Sequence, residues 1–343
     1  MNAATTIQAF HVVPGAVVKT LLSGLRKEAI TLVAQTYLTH ERGETVNPDS
    51  YFLRFPSEPA NRIIALPAAI VDANGGQSVS GIKWIASYPD NIKSGIPRAS
   101  ATLILNNPDT GYPYALLEGA LISAVRTAAS AVLGAWWLNN QQRSAPRLSI
   151  VGGGVISRNI LETFREDDWS FGCVEVHDLN EASADALSAF GKHIGFPEVK
   201  TVSLDDALTA DIVVFATSAG TPYVTARETF RAGQVVLNIS LRDIGPDIIA
   251  QSYNYFDDVT HCLKANTSPH LAELKYGHRE FVTGTVAALI RGDIHVVRDK
   301  PLIYSPFGMG ILDLALGRMV HDLAVRDGSA IAIPSFFGEE RRW

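Results

Sequence analysis

The chain has 343 residues, more than most single hydrophobic cores contain, so its length favours two domains. Hydrophobic residues make up 47% and charged residues 19%, the balance of an ordinary globular protein rather than a disordered one. The net charge of −6 lacks the basic excess that nucleic acids and anionic membranes attract, so we expect neither as a partner.

Cysteine and histidine content argues against disulfide and metal sites. Cys173 and Cys262 are too few for a disulfide framework, and their apolar neighbours favour buried free thiols. The nine histidines show no metal-ligand spacing, so no metal is expected. Residues 1–13 contain no basic segment followed by an apolar run, and the apolar stretches look shorter than a membrane span. We therefore expect a cytoplasmic protein.

Residues 1–145 predict an α+β domain. A helix is expected from Pro14 to His40, followed by a polar loop at 41–50. Turn residues at 72–76 and 107–111 separate strand-like runs, which indicates a meander and a largely antiparallel sheet. The strand-like runs are 63–70, 80–87, 99–105 and 112–117.

Residues 146–310 change to alternating strands and helices, the pattern of a doubly wound parallel sheet. An Ala-rich apolar helix (119–140) and a polar linker (139–146) precede them. A helix at 311–325 is expected to return, with the segment 311–343, to the first domain. The fold class is thus α/β, a Rossmann domain plus an α+β domain with a mixed sheet. The second-domain strands are expected at 148–151, 174–177, 212–216, 235–239 and 255–257.

The segment Leu148–Ser157 has the order strand, glycine turn and helix start. Gly152 permits the turn, Gly154 lets a pyrophosphate approach the backbone, and Ser157 stands at the third, small position of G-x-G-x-x-G/A. The positive helix N-terminus, at Val155 and Ile156, then faces the phosphates. A glycine triplet alone is equally a plain turn, so its surroundings must support the interpretation.

Asp178 ends the next strand, where the acid that binds the ribose of a dinucleotide belongs. A carboxylate there accepts a hydrogen bond from the 2′-hydroxyl and repels a 2′-phosphate, so NAD is favoured over NADP as the cofactor. Thr217 and Ser218 follow another strand at the edge where such sheets bind ligands. Two hydroxyls in a loop are equally compatible with simple capping groups.

Two cations of the first part stand in apolar surroundings. Lys83 lies in a strand-like run and Arg126 in the long apolar helix. Burying such charges is costly unless an anion pairs with them. A single Lys or Arg more often extends its charged end to the surface. The motifs that accompany Lys83 and Arg126 therefore decide between a buried anion-binding role and a surface position.

Four motifs occur in a fixed order and together resemble the ornithine cyclodeaminase/μ-crystallin family. They are Gly-x-Lys-x-x-x-Ser-x-Pro-x-Asn, Asn-Pro-Asp-Thr-Gly-x-Pro, Arg-Thr-Ala-Ala and the glycine turn, at 81–91, 107–113, 126–129 and 152–154. The resemblance covers nearly the whole chain. It implies an NAD-dependent oxidoreductase that is a homodimer through its N-terminal domain and C-terminal helices. It also implies a small amino-acid-derived substrate held between the two domains.

The resemblance also implies roles for individual residues. Lys83 and Arg126 correspond to residues that bind the substrate α-carboxylate, Lys83 as a catalytic residue as well, and Arg54 matches a further substrate arginine more loosely. Asp243 corresponds to a catalytic aspartate and general base. The alternative for Asp243 is a surface-loop carboxylate paired with Arg242. The further cofactor-binding residues that the resemblance implies are Thr127, Ser240, Gly308 and Met309.

Departures from the cyclodeaminases point to one branch of the family. Ile244–Asp247 replaces a Cys-Pro-Gly-Lys-type segment, and Arg98 stands where the cyclodeaminases have a small residue. An added cation suits a substrate with an extra carboxylate rather than the ammonium tail of ornithine. Leu241–Asp243, Arg98–Ser100 and Ser305–Gly310 resemble the siderophore-pathway branch.

The branch resemblance implies a specific reaction. It is the NAD-dependent oxidation of N-(2-amino-2-carboxyethyl)-L-glutamate to L-2,3-diaminopropionate and 2-oxoglutarate. Two alternatives stay open. One is an ornithine cyclodeaminase or a related imine reductase or amino-acid dehydrogenase, and the other is a binding protein of the μ-crystallin kind that holds NAD(P)H or a small ligand.

Overall fold

The computed structural model of the chain describes residues 9–71 and 78–339. The predicted turn at 72–76 and the first eight residues lie outside these ranges. The elements of the first part are, in chain order, β1 (Phe10–Val13), α1 (Gly15–Leu22), α2 (Arg26–Glu41), β2 (Thr45–Val46), β3 (Tyr51–Phe55), β4 (Glu58–Ile70), β5 (Val79–Ser87), β6 (Ala99–Asn106), β7 (Pro113–Glu118) and α3 (Ala120–Leu138).

The remaining elements alternate more regularly between strand and helix. They are β8 (Ser144–Val151), α4 (Val155–Glu166), β9 (Ser170–His177), α5 (Glu181–His193), β10 (Val199–Thr201), α6 (Leu204–Ala207), β11 (Ile212–Phe215), β12 (Val235–Asn238), α7 (Pro246–Gln251), β13 (Tyr253–Phe256), α8 (Val259–Cys262), α9 (Ser268–Tyr276), β14 (Val282–Thr285), α10 (Val286–Arg291), β15 (Leu302–Ser305), α11 (Gly310–Arg326) and β16 (Ile331–Ile333).

The chain divides into two compact units, each made of separate segments. Unit 1 comprises the described parts of Met1–Leu25, Thr39–Arg126 and Met309–Trp343, and unit 2 comprises Arg26–Leu38 and Thr127–Gly308. The division passes through the helices α2 and α3. The predicted boundary at 145/146 stays a prediction.

Unit 1 is built on a mixed sheet with the strand order β16-β1-β7-β6-β5-β4-β2, and β3 pairs with β4. Strands β4 to β7 form the predicted antiparallel meander. The sheet is mixed because β1 runs parallel to β7. The expected single helix from Pro14 to His40 is wrong: it is two helices, since Gly24 adopts a left-handed conformation (φ 78°) that ends the first one.

Helix α11 packs on β4, β5 and β6 of the same unit. Its approach is close because Gly317 faces the sheet, where a Cβ atom would lie 2.1 Å from Leu103 Cδ2. Asp313 lies one turn earlier on the same face of the helix. Leu103 of β6 pairs in register with Lys83 of β5, so the helix sets Asp313 above Lys83.

Unit 2 contains the predicted parallel sheet, in the order β10-β9-β8-β11-β12-β15-β13-β14. The strands β11 and β12 are buried along their whole length and β8 over its last four residues, Leu148–Val151, as expected where helices cover both faces. The strand order reverses at β8: the next two strands, β9 and β10, are added on one side of β8, and β11 and β12 are added on its other side. Such a reversal opens a crevice at the carboxyl ends of the strands. The Rossmann-type fold class is confirmed.

The first part of helix α2 belongs to unit 2 and is held there by a buried polar contact. The Arg26 guanidinium donates to Asn159 Oδ1 (2.9 Å) and to Glu162 Oε2 (2.7 Å), both on α4.

The linker expected at 139–146 is shorter than predicted, because β8 already begins at Ser144.

Candidate functional site

The glycine turn after β8 has the geometry that its sequence predicts. Gly152 has φ 104°, and a Cβ atom there would lie 2.5 Å from the Ala216 carbonyl oxygen, so only glycine fits. A Cβ atom on Gly153 would lie 2.6 Å from the Ser183 carbonyl oxygen. Ser157 is fully buried and donates its hydroxyl hydrogen to the Gly152 carbonyl oxygen. Serine is therefore accommodated at the third motif position because its polar atom has a partner inside the turn.

The N-terminus of α4 is open in front of this turn. In the part of the chain that the structure describes, nothing lies within 4 Å of a Cβ atom placed on Gly154, the residue that precedes the helix, and Val155 is exposed. The first N–H groups of a helix have no partner within the helix. This open space and these donors fit a dinucleotide pyrophosphate, which needs close backbone approach and N–H groups.

Asp178 lies directly after β9 and links that strand to the glycine turn. Its carboxylate accepts hydrogen bonds from the backbone N–H of Gly153 (2.6 Å) and of Asn180 (2.8 Å). These two bonds fix the carboxylate at the carboxyl end of β9, beside the turn after β8. This is the place that the sequence predicts for the ribose-binding acid, and the chemistry of its oxygens fits two ribose hydroxyls.

Asp243 is a fully buried carboxylate surrounded by hydroxyl groups. Its Oδ1 accepts from Thr217 Oγ1 (2.5 Å) and Tyr223 Oη (2.9 Å), and its Oδ2 accepts from Ser240 Oγ. The alternative of a surface-loop carboxylate is therefore wrong. Arg242 instead donates to the backbone carbonyls of Ala265 and Asn266.

The loop that holds Asp243 is conformationally strained. Leu241 has φ 78°, which is costly for a residue with a branched side chain. Its carbonyl accepts from the backbone N–H of Ser268 (2.7 Å), which fixes the turn. Strain that a structure maintains in this way is common at functional sites.

Tyr223 forms the outer part of the Asp243 cluster. The residue is 41% exposed, but its hydroxyl points inward to the carboxylate. Desolvation of this hydroxyl, and then the charge of Asp243, raise the pKa of Tyr223 well above its usual value. Tyr223 therefore stays protonated as a hydrogen-bond donor. Ser218, in the same loop, is exposed.

The turn after β15 is held by an acid that the sequence analysis does not single out. Asp257 is 3% exposed and accepts from the backbone N–H groups of Phe307 (2.9 Å) and Gly308 (2.7 Å). Gly308 has φ 88°, and Met309 is fully buried. Asp257 thus fixes the backbone of the turn that contains the predicted cofactor residues Gly308 and Met309.

Unit 1 contains a buried ionic cluster at the predicted carboxylate-binding residues. Lys83 Nζ donates to Asp313 Oδ2 (2.6 Å) and to Ser123 Oγ (3.0 Å). Arg126 donates through Nε to Asp313 Oδ1 (3.2 Å) and through Nη2 to Ser123 Oγ (3.4 Å). Lys83 is 2% exposed and Arg126 9%. The two cations do lie together, and they share one carboxylate.

Burial and charge act in opposite directions on this cluster. Burial lowers the pKa of Lys83 to about 8, although the adjacent Asp313 carboxylate opposes this shift. Burial alone would raise the pKa of Asp313, but the charges of Arg126 and Lys83 outweigh it, so this pKa lies below its usual value. Asp313 is therefore ionised, and Lys83 loses its proton more easily than an ordinary lysine.

The other two predicted substrate arginines lie nearer the surface of unit 1. Arg54 is exposed on β3, and its guanidinium carbon lies 5.0 Å from the centre of the Phe52 ring. Arg54 pairs in register with Arg62, which pairs with Ser87. Arg98 is half-buried immediately before β6, and its carbonyl accepts from the backbone N–H of Tyr88 (2.9 Å). Their roles stay predictions.

Thr127 is half-buried on α3, one residue after Arg126.

Helix α3 corrects the expectation that the apolar stretches are shorter than a membrane span. By length and composition, its 19 residues are long and apolar enough to cross a membrane. Most of this helix is buried inside the protein, as in the core helix of a globular domain. Cys173 and Cys262 are buried free thiols, as predicted.

Comparison with known proteins gives a family match over almost the whole chain. The model of the ornithine cyclodeaminase/mu-crystallin family matches residues 16–328. The N-((2S)-2-amino-2-carboxyethyl)-L-glutamate dehydrogenase of Staphylococcus aureus is 29% identical over 309 residues, which cover 86% of this chain and 89% of that protein. The iminosuccinate reductase of Paracoccus denitrificans is 25% identical over 258 residues, covering 74% and 79%.

Solved structures share the fold. The Δ(1)-pyrroline-2-carboxylate reductase of Thermococcus litoralis in complex with NADH and L-proline has a TM-score of 0.85 at 22% identity, covering 94% of this chain and 100% of that one. An archaeal alanine dehydrogenase dimer with bound NAD has a TM-score of 0.84 at 22% identity, covering 96% and 100%. At these identities the likeness establishes the fold alone.

Proposed function

The chain belongs to the ornithine cyclodeaminase/mu-crystallin family, and we propose that it is an NAD-dependent dehydrogenase of N-(2-amino-2-carboxyethyl)-L-glutamate. The products are L-2,3-diaminopropionate and 2-oxoglutarate, which serve as precursors in siderophore or antibiotic synthesis. The observation that carries the oxidoreductase part is the arrangement at one edge of the parallel sheet. There the glycine turn and Asp178 follow the neighbouring strands β8 and β9, and the buried Asp243 follows β12, which β11 separates from β8.

The substrate assignment is supported by charge and by similarity. The proposed substrate carries three carboxylates, whereas ornithine carries one carboxylate and an ammonium tail. Unit 1 supplies Lys83 and Arg126 in a buried cluster and Arg98 immediately before β6. Bidentate and charge-assisted contacts of this kind orient a polyanionic substrate. The similarity to the S. aureus dehydrogenase points to the same substrate.

We further propose which residues hold the cofactor. The backbone of Gly152, Gly154, Val155 and Ile156, together with Ser157, would hold the pyrophosphate, and Asp178 the adenosine ribose. When bound, NAD⁺ supplies the hydride acceptor for the glutamate Cα–H. The cofactor residues completing this set are Thr127, Thr217, Ser218, Ser240, Gly308 and Met309. Residues 1–145 with 311–343 are the substrate and dimerisation domain in this proposal, and residues 146–310 the cofactor domain.

The reaction then needs two proton movements and one water. Loss of hydride from the glutamate Cα and of the proton on the secondary amine leaves a C=N bond. Addition of water and cleavage of the C–N bond give the 2-oxoglutarate carbonyl and the free amine of diaminopropionate. Asp243 accepts a proton from the amine or from the attacking water, through the hydroxyl groups that surround it. Lys83 and Arg126 hold a carboxylate throughout.

A direct assay tests the proposal. Purified protein with N-(2-amino-2-carboxyethyl)-L-glutamate and NAD⁺ should release NADH, 2-oxoglutarate and diaminopropionate in equal amounts, measured by absorbance at the NADH band and by amino-acid analysis. L-Ornithine should give little proline. Conversion of ornithine to proline without net NADH would assign the protein to the cyclodeaminases. Binding of NADH with no turnover of any amino-acid imine would favour a binding protein of the μ-crystallin kind.

We propose a homodimer in the cytoplasm. Apolar side chains are exposed along β3 and β5 of unit 1, among them Tyr51 (69%), Leu53 (47%) and Trp84 (43%). Exposed apolar surface of this kind is typical of an interface between copies. Size-exclusion chromatography with light scattering should give twice the mass of 37.0 kDa. Leu53→Glu combined with Trp84→Glu should yield a monomer.

A further inference from the structure

The buried cluster of unit 1 contains an acid that the proposed chemistry does not use. Asp313 is fully buried, and each of its oxygens binds a different cation, Oδ2 the ammonium of Lys83 and Oδ1 the Nε of Arg126. Without it, two cations with a common neighbour, Ser123, would stand together in a desolvated position. Two positive charges that share a hydrogen-bonding neighbour repel each other strongly where water is excluded. A buried ammonium also loses its proton readily.

We propose that Asp313 is the positioning residue of the carboxylate site: it aligns Lys83 and Arg126 and keeps Lys83 charged, so that the cluster presents a single net positive charge to one substrate carboxylate. This inference deepens the proposed function and rests on it for the identity of the substrate. Asp313 itself does not touch the substrate in this arrangement, because both of its oxygens face the cations.

The donor count of the cluster supports this assignment. The Lys83 ammonium has three N–H groups, of which Asp313 and Ser123 take two. Arg126 has five, and Nε and one N–H of Nη2 are used. The contacts of the described residues therefore leave at least one N–H of each cation for a ligand. The charges sum to +1 for two cations and one carboxylate, which one bound carboxylate neutralises.

The fold supports the position of Asp313 independently of its charge. Gly317, one turn later on α11, lets the helix lie directly on Leu103, the register partner of Lys83. This close packing leaves Asp313 little freedom to turn away. The ordinary cost of burying a carboxylate is offset by two charge-assisted hydrogen bonds.

The protonation state of Lys83 gives a direct test. Burial already lowers the pKa of Lys83 to about 8 with Asp313 present. Removal of the carboxylate charge in Asp313→Asn leaves burial and Arg126 acting alone, both of which favour the neutral amine. The protein saturated with NADH and carrying ¹³Cε-labelled lysine is titrated by NMR, and Lys83→Met assigns the resonance. The Lys83 midpoint should fall by about one pH unit or more in Asp313→Asn.

The matched control is Asp322→Asn on the same helix. Asp322 is exposed (60% of its side chain), and its substitution should leave the Lys83 midpoint unchanged. An unchanged or higher Lys83 midpoint in Asp313→Asn overturns the proposal. Asp313→Glu keeps the charge, and its midpoint should lie closer to that of the wild type than the midpoint of the Asn variant.

A second measurement requires no variant and covers the case in which Asp313→Asn does not fold. Binding of 2-oxoglutarate to the wild-type protein with NADH is followed by calorimetry at pH 8 in buffers of different ionisation enthalpy. A carboxylate placed beside Lys83 favours its charged form, so binding should take up protons. No binding, or binding without proton uptake, contradicts a site of net positive charge that includes Lys83.

Turnover separates positioning from a merely structural role. In Asp313→Asn, kcat/KM for the proposed substrate at pH 7.5 should fall at least tenfold, mainly through KM, and the basic limb of its pH profile should move to lower pH. Loss of active protein alone would lower the apparent kcat and leave that limb in place. If the wild type does not turn this substrate over, the proposed function fails, and the NMR titration still decides the role of Asp313.

Discussion

Among the described residues, each unit has one aspartate that is completely buried, and the two are stabilised in different ways. Asp313 in unit 1 is bound by two cations and has a lowered pKa. Asp243 in unit 2 accepts hydrogen bonds from three neutral hydroxyl groups. A carboxylate paired with cations gives up its charge reluctantly, and Asp313 has two such partners.

The difference separates two tasks that buried carboxylates perform. Asp313 serves a fixed charge pattern, because its partners need it ionised at all times. Asp243 suits a proton acceptor, because a hydroxyl neighbour is able to pass a proton and to reorient its own. Substitutions of the two aspartates and of the residues around them test this contrast.

Asp243→Asn should abolish most of the chemistry. If Asp243 accepts a proton, the amide keeps the shape and loses this capacity, so kcat should fall by about 10²–10⁴-fold with a small change in KM. Steady-state NADH production measures both constants. Asp205→Asn, at an exposed position of the same unit, is the control and should behave as the wild type. Near-normal kcat in Asp243→Asn would remove the contrast between the two aspartates.

Lys83→Ala and Arg126→Ala should each weaken the carboxylate site. Each removes a charge-assisted hydrogen bond from a desolvated anion, worth about 1.5–3 kcal/mol, so kcat/KM should fall at least roughly tenfold. NADH binding, followed by fluorescence, should be retained. Lys93→Ala removes an exposed lysine in a surface ion pair with Asp90 and should change neither quantity. Normal turnover by Lys83→Ala would exclude this lysine from the site.

Arg98→Thr tests the third cation, which is half-buried and has no carboxylate partner among residues 9–71 and 78–339. Since its contact is expected in both the ground state and the transition state, the loss should appear mainly as a KM several-fold higher, with kcat nearly unchanged. The variant should still form little proline from L-ornithine. A gain of efficient ornithine cyclisation together with loss of the glutamate adduct would mean that Arg98 alone determines the branch.

Asp178→Ala concerns an acid in unit 2 that is bound by backbone N–H groups. Loss of its negative charge should narrow the preference for NAD⁺ over NADP⁺, because a 2′-phosphate is no longer repelled. The ratio of kcat/KM for the two cofactors measures this preference, and Asp205→Asn again serves as the control. Equal use of NAD⁺ and NADP⁺ by the wild-type protein would show that the assignment of Asp178 is wrong.

The smallest effect concerns acid stability in unit 1. His11 Nδ1 lies 3.2 Å from His321 Nε2, a hydrogen bond that needs one unprotonated ring nitrogen. Burial, and then the charge of His321, lower the pKa of His11, so its protonation is less favourable in the folded than in the unfolded state. Stability is therefore lost as the pH falls below about 6.5. Tm should fall between pH 7 and 5 by less in His11→Asn than in the wild type, and an identical fall would contradict this.

Local patterns in the sequence were sufficient to predict the parallel sheet and the positions of the glycine turn and Asp178 at the carboxyl ends of its strands. Gly152 and Gly154, the alternation of strand and helix, and Asp178 at a strand end carry their meaning within about 30 residues. The long helix and the antiparallel meander were predicted for the same reason, since periodicity and turn residues are local properties. The break between α1 and α2 at Gly24 also has a local signal, a glycine between two apolar segments, although it was not predicted.

Tertiary structure decided what depends on distant partners. Strands as short as β1 and β15 lack a periodic pattern of their own, and they exist because β7 and β12 supply hydrogen bonds. Asp313 lies 230 residues from Lys83 in the chain and reads locally as an ordinary helix residue. Sequence alone determined which residue types this protein places at strand and helix ends. Only packing determined that two cations share one buried carboxylate, because the energy of a buried charge depends on neighbours that chain spacing does not specify.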